Sequence, residues 1–376
     1  MKKSFFLIAV MAGVLFTACT PDNGESTKEP QASSVDVILP DDLEVIELDW
    51  AAKTSELDFE WESADDQAEY SIVFSVDEEL SSPYKVKAGK VFEYAMTHED
   101  LDEMLEELGV PAYRCSDIYW AIESVNGNLT AVSAVRSMNL FRFYKPFVDT
   151  VNGDEYKVCR VTNEMTGDYA VWMAENLRAV KYSDGTEIGA EVRFYGDYAA
   201  DNAADDSMKN IYGGYYTWTA AVRGTTGAES TPKVQGACPA GWHVASKSEW
   251  DFLINSLEEG NPGGALKNAS YWESGATNGN KPVSDAIGFG IPGAGYIWQT
   301  EAAGAAPLTN GVIEAGKVAY FWTANAPVEG DVYPWNPPVA DYPYQGVTYG
   351  FTSSDFGAAL YPYVRGRGYN VRCVLD

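Results

Sequence analysis

The sequence predicts two folds in succession: an all-β sandwich over residues 35–145, then from 150 to 376 an α+β domain rich in loops. Three observations carry this. From Val35 to about Phe143 apolar and polar residues alternate with period two, as in Leu57-Asp58-Phe59-Glu60-Trp61 and Tyr70-Ser71-Ile72-Val73-Phe74-Ser75-Val76, in short runs separated by turns. The stretch from Ala237 to Leu257 reads instead as a turn followed by a capped helix. After Gly260 regular periodicity is sparse, and glycines, prolines and aromatics replace it.

Residues 1–18 form an address. Lys2-Lys3 make a basic start, Phe5 to Phe16 an apolar core too short to span a membrane as a mature helix, and Thr17-Ala18 place small residues before Cys19. This resembles a bacterial lipoprotein signal, with Leu15-Phe16-Thr17-Ala18-Cys19 as its lipobox, and implies cleavage before Cys19 and acylation of its sulfur. Residues 19–34 are polar and without hydrophobic period, a flexible tether. The expected location is therefore the outer membrane, lipid-anchored and facing the exterior, with Asp22 and Glu25 in the position of an export signal.

The net charge of −29 disfavours nucleic acid as a partner and suits solubility at a crowded surface. With 11 Trp and 24 Tyr, the chain has more aromatic residues than cores usually need, so some belong on a surface.

One helix interrupts the predicted sandwich: Thr97 caps it, Asp100 occupies the third position, Leu101, Met104, Leu105 and Leu108 face inward, and Gly109 with Pro111 ends it. The run from Ile118 to Val125 leads into a hairpin turn at Asn126-Gly127-Asn128. Together, Trp61, Tyr70-Ser71-Ile72, the acidic helix and Tyr119-Trp120-Ala121-Ile122 resemble the N-terminal immunoglobulin-like domain of SusE-type outer-membrane lipoproteins. That resemblance implies a spacer domain beside a porin that imports glycan fragments.

In the second half, Ser246 and Glu249 form a capping box, and Trp250, Leu253, Ile254 and Leu257 set a buried face for a helix over 247–258, stopped by Gly260 and Pro262. Of the cysteines beyond Cys19, Cys238 lies just upstream of this helix and Cys373 in a strand-like tail, and this pair is expected to be bonded. Cys115 and Cys159 fall in different predicted domains, as buried free thiols or as an interdomain clamp.

Trp172-Met173-Ala174-Glu175-Asn176-Leu177, Gly214-Tyr215-Tyr216-Thr217-Trp218, Cys238-Pro239-Ala240-Gly241-Trp242-His243, Pro292-Gly293-Ala294-Gly295, Phe321-Trp322-Thr323 and Val371-Arg372-Cys373-Val374 occur in that order. This series resembles the Fibrobacter succinogenes major paralogous domain. The resemblance implies a C-type-lectin-like fold, related to the scaffold of formylglycine-generating enzymes, on exported proteins.

No Ser–His–acid or Cys–His constellation can be assembled: His98 opens an acidic helix, His243 belongs to a structural turn, and the reading is non-enzymatic. Gly288-Phe289-Gly290-Ile291-Pro292-Gly293 spells a dinucleotide fingerprint, but Pro292 sits where the helix should begin. No cofactor is expected; calcium is the one ion considered, at Asp197, Asp201, Asp205 and Asp206, where a solvated loop is the simpler reading. Asp149-Thr150-Val151 and Asp206-Ser207-Met208 match a short O-glycosylation signal, again with a solvated loop as the plainer account.

The binding candidate is an aromatic insert within Asp331 to Gln345. Tyr333, Trp335, Tyr342 and Tyr344 lie on a proline-stiffened loop with Asn336 and Asp341, a set that can stack on the C–H faces of a sugar and bond its hydroxyls. The plainer alternative is that Trp335 anchors the loop from inside. The expected function is non-catalytic binding of a polysaccharide or host glycan, with a surface protein as alternative ligand and an outer-membrane porin as possible complex partner.

Overall fold

The structure, a computed structural model, describes residues 32–143, 145–197, 206–224, 233–257, 262–273, 283–299, 307–326, 345–353, 359–364 and 366–376. It is mostly β-sheet with few helices, in two compact units. The first comprises Asp58–Tyr94, Tyr119–Arg136 and the described residues up to Asp41; the second comprises Asp42–Leu57, Ala95–Ile118 and Ser137–Asp376.

In the first unit Val35–Leu39 pairs antiparallel with Glu56–Ser63, while Glu69–Ser75 lies between Tyr84–Gly89 and the strand Cys115–Asn126. The two ladders meet through Phe59, whose ring packs edge-on against Phe74 at 5.6 Å and Trp120 at 5.1 Å. The turn expected at residues 126–128 closes as a two-residue loop, Asn126 opposite Leu129 with Gly127 at φ +60°. Alternation holds for Tyr70, Ile72 and Phe74, but Val73 and Ser75 are buried as well and Val76 is exposed. The outer face of this central strand is covered by long side chains from the strands beside it. Lys85 and Glu123, in register with Val73 and Ser71, pair at 2.8 Å, and their stems shield that face.

In the second unit the expected helix spans His98–Glu107 with a complete capping box between Thr97 and Asp100. It ends as a Schellman motif: the N–H of Val110 reaches Leu105 O at 2.9 Å and that of Gly109 reaches Glu106 O at 3.0 Å. Asp102, on the buried face, accepts from Arg142 Nε at 2.6 Å, so a carboxylate shares that face with Leu101, Met104 and Leu105.

Four strands form the centre of the remaining fold, in the order Val158–Thr162, Tyr169–Met173, Cys373–Leu375, Trp242–Val244. A second antiparallel sheet contains Val318–Trp322, Gln345–Thr352 and Ala359–Val364. Successive side chains enter different cores, as the strand period demands. Trp172, Phe321 and Val374 join Trp250, Phe289 and Phe351 in one, while Met173, Trp322 and Cys373 join Trp218, Trp242 and Tyr369 in the other.

The helix of the capping box spans Lys247–Asn255, with Ser256 as its C-cap. Trp250 and Leu253 are fully buried; Ile254 and Leu257 are partly so. Pro262 does not merely stop a helix. It opens the short helix Pro262–Leu266, the one place where a missing N–H costs nothing. The strands Gln345–Thr352 and Ala359–Val364 are regular structure that periodicity did not reveal. Residues 346–351 of the first are all buried, among them the side chains of Val347, Thr348, Tyr349 and Phe351, so no polar face alternates with the apolar one.

Candidate functional site

Cys238 and Cys373 are disulfide-bonded, tying the turn before the helix to the central strand. Cys115 and Cys159 are free. The clamp does not form: Cys115 Sγ faces Arg160 Nη1 at 3.4 Å, whereas Cys159, one residue earlier on the same strand, points into the core of Trp172 and Trp250. Burial pushes the Cys159 thiol up to about 12, against the pull of Arg372.

His243 is 1 % exposed, and both its nitrogens face carboxylates: Nε2 lies 2.6 Å from Glu249 Oε1 and Nδ1 2.7 Å from Asp376 Oδ1. Burial opposes the charged ring, yet the bonds and charges of Glu249 and Asp376 raise its pKa above the usual value. For Glu249, burial works upward, and His243 with Ser246 outweighs it, lowering the carboxyl. Neither nitrogen is aimed at the hydroxyl of Ser246, which donates to Glu249 Oε2 at 2.7 Å. The group locks the helix start to the strands Trp242–Val244 and Cys373–Leu375. His98, at the start of the acidic helix, is half-buried, and its Nδ1 accepts the backbone N–H of Asp49 at 3.1 Å.

The aromatic residues Tyr333, Trp335, Tyr342 and Tyr344, with Asn336 and Asp341, lie outside the described residues, as does Cys19. The described ends of their segment are firmly held. Thr323 Oγ1 donates to Val347 O at 3.0 Å, Asn325 Oδ1 accepts from Lys247 N at 2.7 Å, and Trp218 Nε1 donates to Thr323 O at 3.0 Å. A Cβ on Gly346 would lie 2.4 Å from the Trp218 ring, so only glycine lets the backbone pass there. Of the acidic residues considered for calcium, Asp201 and Asp205 also lie outside the described residues, and Asp197 Oδ2 accepts the N–H of Phe194 at 2.8 Å. Among the described residues no three His, Cys, Asp or Glu side chains could hold a metal ion. Nor is any described helix long and apolar enough to cross a membrane.

Two features escaped the sequence. Arg372 is fully buried, donating from Nε to Asn176 Oδ1 at 2.8 Å and from Nη1 to the carbonyls of Met173 and Phe289 at 3.0 and 2.9 Å. Burial lowers its pKa to about 10. An isolated arginine in a tail carries no sequence sign of such a role.

The second is a cleft of about 660 Å³ within the second unit, whose lining includes Trp50, Asp49, Lys145, Lys157, Arg160 and Ile287. Asp49 caps the short turn Trp50–Ala52 through Ala51 N at 2.8 Å, and Trp50 keeps 42 % of its surface exposed. Arg160 is held by Glu47 and by the rings of Phe141 at 4.6 Å and Tyr169 at 5.6 Å. Lys145 Nζ lies 3.5 Å from Asp102 Oδ2. Only tertiary structure gathers these groups, which sit on segments some hundred residues apart.

Comparison with known families agrees with the motif series and its position. The family model of the SusE outer membrane protein matches residues 22–123. No curated protein matches the chain. The model of the Fibrobacter succinogenes major domain matches residues 168–375, more than half of the sequence, and the chain belongs to that family.

Proposed function

We propose that this chain is a lipid-anchored outer-membrane protein that faces the exterior and binds a polysaccharide or host glycan without transforming it, beside a glycan-uptake porin. The SusE match over residues 22–123 is the observation that carries the reading, since that family is named for the outer membrane. The lipobox ending at Cys19 supports the anchor. In this reading the second half is a C-type-lectin-like scaffold, and its aromatic insert around Trp335 is the binding element. The anchored stem at Thr323, Asn325 and Gly346 supports this, because a loop fixed at both ends loses less entropy on binding.

A glycan array probed with the purified chain, with and without calcium, tests the reading. Binding to one polysaccharide class, weakened by Trp335→Ala with unfolding unchanged, is the expected result. Silence across the array in both conditions favours a protein ligand and overturns it.

A further inference from the structure

We infer that the cleft of Trp50, Asp49, Lys157 and Arg160 is a second binding site, for an acidic saccharide. The inference rests on the glycan-binding reading and locates a site away from the Trp335 insert. The cleft's 660 Å³ lies inside the range of roughly 300–1,000 Å³ of small-ligand sites. Trp50, over whose ring Lys53 Nζ lies at 5.4 Å, keeps 42 % of its surface exposed and offers an aromatic wall of the kind on which the C–H face of a pyranose stacks.

Charge then selects among sugars. In a chain of net charge −29, the lining of this cleft includes three cations, Lys145, Lys157 and Arg160, beside two carboxylates, Glu47 and Asp49. Arg160 is held by Glu47, and Lys145 by Asp102 and Glu106, so neither needs a ligand to be satisfied. The Lys157 backbone N–H donates to Glu175 Oε2 at 3.0 Å, while its ammonium pairs with no carboxylate among the described residues. A ring bearing one carboxylate or sulfate would bring that anion to Lys157, rest its apolar face on Trp50 and give a hydroxyl to Asp49. A polyanion without an apolar face would meet the negative field of the whole chain with no stacking to offset it.

Titration calorimetry of the full chain with three oligosaccharides of matched length, one bearing uronates, one sulfates and one neutral, tests this. Binding of an anionic oligosaccharide, weakened at least about tenfold by Trp50→Ala and by Lys157→Gln with thermal unfolding unchanged, is expected, and whichever anionic probe binds names the charged group. Wild-type affinity in both variants, or binding of the neutral probe alone, overturns the proposal. Weakening by Trp335→Ala only, or no binding of any of the three probes, would overturn this site, whereas the glycan reading itself falls only with silence across the array.

Discussion

His243 Nε2 lies 2.6 Å from Glu249 Oε1, and the other oxygen of the same carboxylate closes the capping box through Ser246 N at 2.7 Å. One side chain thus caps a helix and holds a buried imidazole ring. His243 has a raised pKa in the fold, so its contribution is complete below about its ordinary 6.5 and is lost as pH rises through the folded value. Glu249 is lowered, so its contribution is complete above about 4.5 and is lost as pH falls through the folded value. The melting temperature should therefore peak between these ordinary values. In His243→Gln the decline on the alkaline side should disappear, with stability reduced by roughly 1–3 kcal/mol near pH 6.

The Cys238–Cys373 bond spans 135 residues of sequence. Its removal by Cys238→Ser with Cys373→Ser should cost about 2–4 kcal/mol in urea denaturation, mostly by freeing the unfolded chain. Labelling of the unfolded wild type with a thiol reagent should leave this pair unmodified until a reductant is added.

Gly236 has φ +53°, and a Cβ there would lie 2.0 Å from the backbone oxygen of Ala221. Gly236→Ala should destabilise by more than about 2 kcal/mol, because backbone must move. Gly241, at φ +81° with nothing within 4 Å, isolates the conformational part, and Gly241→Ala should cost about 1 kcal/mol. Equal losses in thermal denaturation would contradict this account.

Arg372 places a fixed fork against three acceptors, Asn176 Oδ1 and two carbonyls. A lysine keeps the charge but cannot match that geometry. Arg372→Lys should therefore lose about 2–3 kcal/mol in chemical denaturation, as buried acceptors are left unpaired. Stability equal to wild type would show that the charge alone matters.

Much of this chain was legible locally. Thr97 announced a helix cap, Ser246 with Glu249 a capping box, Asn126-Gly127-Asn128 a tight hairpin, and Cys238 with Cys373 a bond, because each depends on residue type at short spacing or on a small choice of partners. The motif series placed the second half in its family for the same reason: it is a string of local signatures.

What depends on long-range proximity was not legible. Gln345–Thr352 gave no periodic signal because Val347, Tyr349 and Phe351 on one face and Thr348 on the other are all buried, and a strand buried on both faces carries no alternation to read. His243 becomes a charge lock only when Asp376 and Glu249 close on it, and Trp50, Lys157 and Arg160 become one cleft only when distant segments meet. The sequence by itself determined the caps, turns, disulfide pair and family. Tertiary structure decided which side chains share a dry or charged space, because burial and electrostatic coupling depend on distance through the folded molecule rather than along the chain.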